Sequence, residues 1–156
     1  FRFFTVYGPW GRPDMALFKF TDAIMKGEPI DIYNHGEMFR DFTYVGDLVR
    51  AIELLVECEP VLGGGVGDED TLSTVAPWRV VNIGNSRSER LTDFVDILEK
   101  ELMKKAQRKM LPIQAGDVPA TWADCNLLEK LTGYRPTTRI EKGIQEFVSW
   151  YKDFYS

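Results

Sequence analysis

Three loops in this chain of 156 residues carry groups suited to an anionic, hydroxyl-rich ligand. The first runs Thr5-Val6-Tyr7-Gly8-Pro9-Trp10-Gly11-Arg12. An arginine on a loop bounded by glycine and proline can offer its planar fork to both oxygens of a carboxylate or phosphate. The plainer alternative is a solvated surface arginine. The second is Phe39-Arg40-Asp41-Phe42-Thr43-Tyr44, where a charge pair interrupts an aromatic strand. Either Arg40 and Asp41 face opposite sides of an edge strand, or Arg40 meets an anion above the sheet. The third, Gln114-Ala115-Gly116-Asp117-Val118-Pro119-Ala120-Thr121-Trp122, offers Asp117 as an acceptor for a ribose diol. Acids in such loops also cap turns.

Other chemistries lack their residues. The sequence holds one histidine, His35, and two cysteines, Cys58 and Cys125, with no CxxC, so a structural zinc site has too few ligands. A Cys-His or Ser-His nucleophile would depend on that single histidine, which sits in a turn. The cysteines read as two reduced cytosolic thiols. No GxGxxG follows a strand, so the dinucleotide fingerprint is missing. Gly63-Gly64-Gly65-Val66-Gly67 follows a helix, precedes none, and reads as flexible loop. No tyrosine has a lysine four positions on, and no acid–base pair is evident, so no catalytic residue is assigned in this chain.

The elements that must position the three loops follow from periodicity and punctuation. Phe1 to Val6 is aromatic and β-branched and reads as a buried strand, followed by a loop from Tyr7 to Asp14. Met15 onward is an amphipathic helix closed by Gly27. Ile30 to Tyr33 and Phe39 to Val45 read as two strands around a tight Asn34-His35-Gly36 turn. Asp47 to Val56 is helical, and Gly63 to Pro77 is a long surface loop in which weak order is expected. Trp78 to Ile83 alternates as a strand does. Thr92 to Met103 is helical with Thr92 as its cap, Lys109 to Ile113 is a short strand, and Asp124 caps a helix that Gly133 ends. Ile140 to Phe154 is a last amphipathic helix, with Ile144, Phe147, Val148, Tyr151 and Phe154 on one face. The fold class is α/β, with an α+β-like mixture of small sheets covered by helices.

Composition closes off further classes. Nineteen basic against twenty-four acidic residues give a net charge of -5 with no basic patch, which argues against a nucleic-acid partner. Hydrophobic residues at 44% and charged residues at 28% are ordinary for a globular domain. No apolar run approaches the ~20 residues that cross a bilayer, so no membrane span is expected. The sequence opens at Phe1 inside an apolar run that does not read as a signal peptide, and it is expected to be the C-terminal part of a longer protein.

Taken in order, these stretches resemble one family. Arg2-Phe3-Phe4-Thr5-Val6-Tyr7-Gly8-Pro9 with Arg12-Pro13-Asp14-Met15-Ala16 is similar to the start of the C-terminal half of extended short-chain dehydrogenase/reductase sugar-nucleotide enzymes. Arg40-Asp41-Phe42-Thr43-Tyr44-Val45-Gly46-Asp47 looks like that family's RDFTYVDD segment. Val81 to Ser86, Gly116-Asp117-Val118-Pro119-Ala120-Thr121-Trp122-Ala123-Asp124, and Leu131-Thr132-Gly133-Tyr134-Arg135-Pro136 complete the order. The branch resembled is that of UDP-glucuronate 4-epimerases, NAD-dependent epimerases/dehydratases. Gly46 departs from the pattern, standing where the family has an aspartate and removing a possible helix N-cap.

The resemblance implies a C-terminal substrate-binding portion of an extended Rossmann enzyme, residues 1–156 holding the sugar nucleotide, with the NAD-binding part and a catalytic Tyr-x-x-x-Lys expected upstream. Thr5 and Arg12 match positions that hold the sugar carboxylate, Arg40 the arginine on the UDP diphosphate, and Asp117 the acid near the uridine ribose. Gln114 falls where related galactose epimerases carry a second diphosphate arginine, and Phe3 and Phe4 sit where the backbone runs near the nicotinamide. The implied reaction is UDP-glucuronate to UDP-galacturonate at C4 through a 4-keto sugar, serving polysaccharide biosynthesis in the cytoplasm. The full-length enzyme is expected to be a homodimer and this chain alone inactive. Alternatives are a related decarboxylase or dehydratase, or a non-catalytic nucleotide-sugar-binding module.

Overall fold

The apolar opening run changes partners partway along instead of forming one buried strand. In the computed structural model, which describes residues 1–155, it divides at Phe4 into β1 (Arg2–Phe3) and β2 (Thr5–Tyr7). β1 pairs in parallel with β6 (Asn82–Ile83), and β2 in parallel with β5 (Phe42–Tyr44). β1 has that single partner, and Phe1 and Phe3 are exposed, stacked on each other at 6.2 Å. Only Tyr7, at the far end of the run, is buried.

The second aromatic run also divides, at Asp41, into β4 (Phe39–Arg40) and β5. β4 is the middle of a three-stranded sheet, antiparallel to β7 (Glu89–Arg90) and parallel to β9 (Ala120–Thr121), so of the two alternatives for Arg40 and Asp41 the edge strand does not hold. β3 (Pro29–Ile32) does not pair across the turn with Phe39–Val45. It pairs in parallel with β8 (Gln107–Met110), burying Ile30 and Ile32. Between them Tyr33–Gly36 is a short 3-10 segment with Asn34 and His35 left-handed at φ 49° and 50°. His35 is therefore the turn residue expected, its N–H donating to the Leu111 carbonyl at 2.9 Å.

Parallel pairs need crossover connections, and helices supply them. α1 (Ala16–Lys26) buries Leu17, Phe20 and Ile24 and ends at the left-handed Gly27. α2 (Val45–Val56), α3 (Leu91–Leu102), α4 (Asn126–Thr132) and α5 (Ile140–Tyr155) fall within a few residues of the periodic stretches. The caps differ more. Thr92 lies inside α3, whose first turn is entered from Arg90 without a side-chain cap. Gly46 lies inside the first turn of α2 and is not its cap, and a Cβ there would stand 2.7 Å from the Tyr44 ring. Asp124 is not the cap of α4 either: Cys125 holds that position without a side-chain bond, and Asp124, one residue earlier, accepts the Asn126 N–H at 2.9 Å in the turn that enters the helix. On α5, Phe154 is exposed while the other four apolar positions are buried.

The loop from Gly63 to Pro77 contains no helix or strand, yet it is clipped in place. Asp70 accepts the Val66 and Leu72 N–H groups and pairs with Arg79 at 3.1 Å, both side chains almost wholly buried. Another clip joins the end of the fold to α2. Asp47 accepts the Thr137 and Thr138 N–H groups, the Thr138 hydroxyl, and the Tyr134 hydroxyl at 3.2 Å. Burial, then the charge of Asp47, push the Tyr134 phenol up to about 12 from an ordinary 10.0. The folded state thus favours the neutral phenol. This stabilisation is complete below pH 10.0 and is lost as pH rises through about 12. Tyr134→Phe should flatten the fall in urea midpoint across that window, measured at stepped pH.

Two cores result. One gathers Tyr7, Phe42 and Phe94 with α1, α3 and α5; the other packs α2 and α4 around Val81 and Ile83. Phe42 and Phe94 stack at 4.5 Å, with Tyr7 edge-on to both. A Cβ at Gly143 would stand 2.2 Å from the Tyr7 hydroxyl oxygen and 2.5 Å from its ring carbon, so α5 can approach β2 only with glycine there. Gly143→Ala should cost roughly 3 kcal/mol in chemical unfolding, the upper range for overpacking a core.

Candidate functional site

β2 delivers its C-terminal end to a loop that turns back toward α1. Thr5 is locked in register, opposite Phe42, and its N–H donates to the Asp41 carbonyl at 3.1 Å. Arg12 emerges from the loop four residues before α1. Thr5 and Arg12 line one small apolar cavity of about 50 Å³ floored by Phe42, Phe94 and Phe147. Phe3, Phe4, Trp10 and Arg12 line an adjoining cleft of about 400 Å³. Arg12 thus shares one cavity with Thr5 and the adjoining cleft with Phe3 and Phe4.

The Arg12 fork is exposed and already closed on a carboxylate. Its Nε donates to Asp14 Oδ1 at 3.0 Å and its Nη2 pairs with Asp14 Oδ2. This hydrogen-bonded pairing raises the guanidinium pKa and lowers that of the Asp14 carboxyl. The pair demonstrates the two-pronged geometry that a ligand carboxylate would need, and such a ligand would exchange with Asp14. Asp14→Asn should therefore tighten binding of a carboxylate-bearing ligand, by no more than about fivefold because exposed pairs are weak, as titration calorimetry would show.

The other three predicted residues form a second group. Arg40 Nη2 donates to Asp117 Oδ1 at 2.6 Å, and its Nη1 to the Phe39 carbonyl at 2.9 Å. Asp117 sits on a turn closed by its N–H to the Gln114 carbonyl at 3.1 Å, with Gly116 at φ 84° in the position such turns reserve for glycine. Val118 N–H donates to the same Asp117 oxygen at 2.9 Å, so Oδ2 takes part in neither bond. Residues expected to act separately are thus one ion pair, with Gln114 on the same turn. The cavities lined by Thr5 and Arg12 do not reach Arg40, Gln114 or Asp117.

Asp41 links the two groups, and sequence reasoning left its role undecided. It is fully buried. Its Oδ1 accepts the Asn85 N–H at 2.7 Å and the Thr43 hydroxyl at 3.1 Å; its Oδ2 accepts the Ser86 N–H at 2.8 Å and the Ala123 N–H at 3.0 Å. The turn at Gly84 closes on this carboxylate: a Cβ there would meet Ala123 at 2.4 Å and Asp41 at 2.9 Å. Asp41 thereby ties the ends of β4, β6 and β9 together, while the half-buried Arg40 beside it turns to Asp117. The signal available in the sequence was the acid lodged between Phe39 and Phe42, which needs donors if it points inward. Cys125 is buried and bonded to Gly84 through Sγ, and burial raises its pKa, so it is not a poised nucleophile. Among the described residues no cluster of metal-binding side chains occurs, and no helix is long and apolar enough to cross a membrane.

Residues 1–63 match the NAD dependent epimerase/dehydratase family. The whole chain is 54% identical to a protein of Rhizobium meliloti named probable UDP-glucuronate 4-epimerase, covering 99% of this chain and 46% of that protein. A crystal structure of UDP-glucuronic acid 4-epimerase from Bacillus cereus with UDP-glucuronic acid and NAD superposes with a TM-score of 0.80 at 30% identity, covering 99% of this chain and 45% of that one. UDP-glucose 4-epimerase from Thermotoga maritima with UDP-glucose gives 0.81 at 26% identity, over 99% and 46%. The chain spans about half the length of the curated relatives it matches. The family match covers the opening 63 residues, and the likeness to proteins named UDP-glucuronate 4-epimerase extends over nearly all of the rest.

Proposed function

We propose that this chain is the substrate-binding portion of an NAD-dependent nucleotide-sugar epimerase that interconverts UDP-glucuronate and UDP-galacturonate at C4. The observation that carries the reading is the Arg12 fork, closed in two-pronged fashion on a carboxylate beside Thr5, in a chain 54% identical to a relative named for that epimerisation. In this reading Arg12 and Thr5 hold the sugar carboxylate, Arg40 with Gln114 the diphosphate, and Asp117 the uridine ribose. The enzyme works in the cytoplasm, in keeping with two free cysteines.

Phe3, exposed, and Phe4, half-buried, line the 400 Å³ cleft, where their backbone would run near the nicotinamide. NAD, when bound, supplies the acceptor and donor of the C4 hydride. This chain's residues bind and orient. A 4-keto uronic acid is a β-keto acid and loses CO2 readily when its carboxylate bond lines up with the carbonyl π system. Arg12 and Thr5 hold the carboxylate out of that alignment while the sugar turns over.

The test is incubation of the complete enzyme with UDP-glucuronate and NAD, with products separated by chromatography and weighed. A product of unchanged mass that co-elutes with UDP-galacturonate supports the reading. Loss of CO2 or water would replace it with a decarboxylase or dehydratase, and no change at all would leave a nucleotide-sugar-binding module.

A further inference from the structure

The loop that carries Arg12 is pinned at two points, and the second pin is a residue with no part in the reading above. Gly8 is the first. At φ 136° it lies against the start of α2, where a Cβ would stand 2.7 Å from Val45 and 3.1 Å from the Tyr44 ring. Trp10 is the second. It takes the left-handed conformation at φ 62°, which bulky side chains rarely adopt. Such strain persists only where the surroundings over-determine it. Here they do, because the indole packs on Trp150 at 5.3 Å and on Phe154 at 5.2 Å, both on α5. Trp150 in turn packs on the buried Phe147 at 5.5 Å, and Phe147 floors the cavity that Thr5 and Arg12 line. One helix thus supplies both the floor of the cavity and the anchor of the loop above it. Despite these contacts Trp10 remains 72% exposed, more than a core role would leave it.

We infer that Trp10 is a positioning residue for the anion grip: it clamps the Gly8–Arg12 loop to α5 and so sets where the Arg12 fork presents itself, giving the site its preference for a carboxylate-bearing sugar nucleotide. This rests on the reading of Arg12 as the carboxylate anchor. Beyond the Arg12 carbonyl, which accepts the Met15 N–H at 3.1 Å, the side chain itself is exposed and, among the described residues, pairs with Asp14 two residues away, so its placement follows that of the loop. A guanidinium misplaced by about 1 Å loses much of its hold, with effects reaching ~100-fold in sites built on such alignment.

The test is titration calorimetry of the complete enzyme with UDP-glucuronate and with UDP-glucose. Trp10→Ala should weaken UDP-glucuronate about tenfold and leave UDP-glucose within about twofold, and Trp10→Phe should recover most of the loss. Trp10→Gly accepts the positive φ without strain, so it should show the same selective loss even if the alanine variant folds poorly. In an Arg12→Ala background, Trp10→Ala should change neither affinity further, because the two residues act as one unit. Equal weakening of both ligands, an unchanged UDP-glucuronate affinity, or a full additional loss on top of Arg12→Ala would overturn the inference. Failure of the underlying reading looks different: the unaltered enzyme would bind UDP-glucuronate no better than UDP-glucose, and Arg12→Ala would leave the two unchanged.

Discussion

Asp41→Ala should destabilise the fold by about 4 kcal/mol or more, the largest effect of any single polar substitution in this chain. The reasoning is a count of orphaned donors. The Asp41 carboxylate satisfies the N–H groups of Asn85, Ser86 and Ala123 and the hydroxyl of Thr43. Each buried donor left without a partner costs about 1–3 kcal/mol, and a methyl at this depth admits no ready substitute. Asp41→Asn tests the same idea more finely. Its carbonyl oxygen can serve one pair of donors, but its NH2 group then faces the other pair, so about half of the loss should remain. Urea unfolding reads both variants as a lowered midpoint at unchanged slope. A shift below about 1 kcal/mol for the alanine variant would mean that water replaces the carboxylate, and that Asp41 is not the tie between the two halves of the site.

Arg12→Ala in the complete enzyme should weaken UDP-glucuronate about ten- to hundredfold, the range for losing a charge-assisted hydrogen bond to an anion. UDP-glucose, which has no carboxylate, should bind as before. The contrast between ligands decides the matter, because a loop that merely unravelled would weaken both. The effect should also shrink as ionic strength rises, since the fork is exposed and its field is screened within about 10 Å at 0.1 M salt. Equal affinity of the variant and the unaltered enzyme for UDP-glucuronate would remove Arg12 from the carboxylate.

The two substitutions act at different levels. Asp41 holds β4 against the Gly84 turn, and Arg40 and its partner Asp117 flank that joint from outside. Arg12 acts at the tip of a loop, where little stability is at stake. The Asp41 variants should therefore impair every ligand along with the fold, whereas the Arg12 variant should impair one ligand and leave the unfolding midpoint alone.

Local chemistry made the helices legible. α1 and α5 announce themselves through apolar residues at helical spacing, and Gly27 and Gly133 end α1 and α4 because each adopts a left-handed conformation that the residue type itself favours. The three candidate loops were legible for the same reason, since glycine and proline punctuate them. Strand partners were not. Ile30 and Ile32 alternate in a way that marks a strand, yet nothing in the neighbourhood of β3 says that it pairs with β8 and not with the aromatic run just beyond the turn. The division of both aromatic runs, at Phe4 and at Asp41, had the same cause: each half answers to a different distant partner. Pairing is a non-local choice made by which buried faces fit together. So it was with the site. Residue types alone marked Arg12, Arg40 and Asp117 as groups for an anionic, hydroxyl-rich ligand. Only the folded chain brought Arg40 to Asp117 across 77 residues, turned Asp41 inward as their support, and seated Trp10 on α5 above the cavity of Thr5 and Arg12.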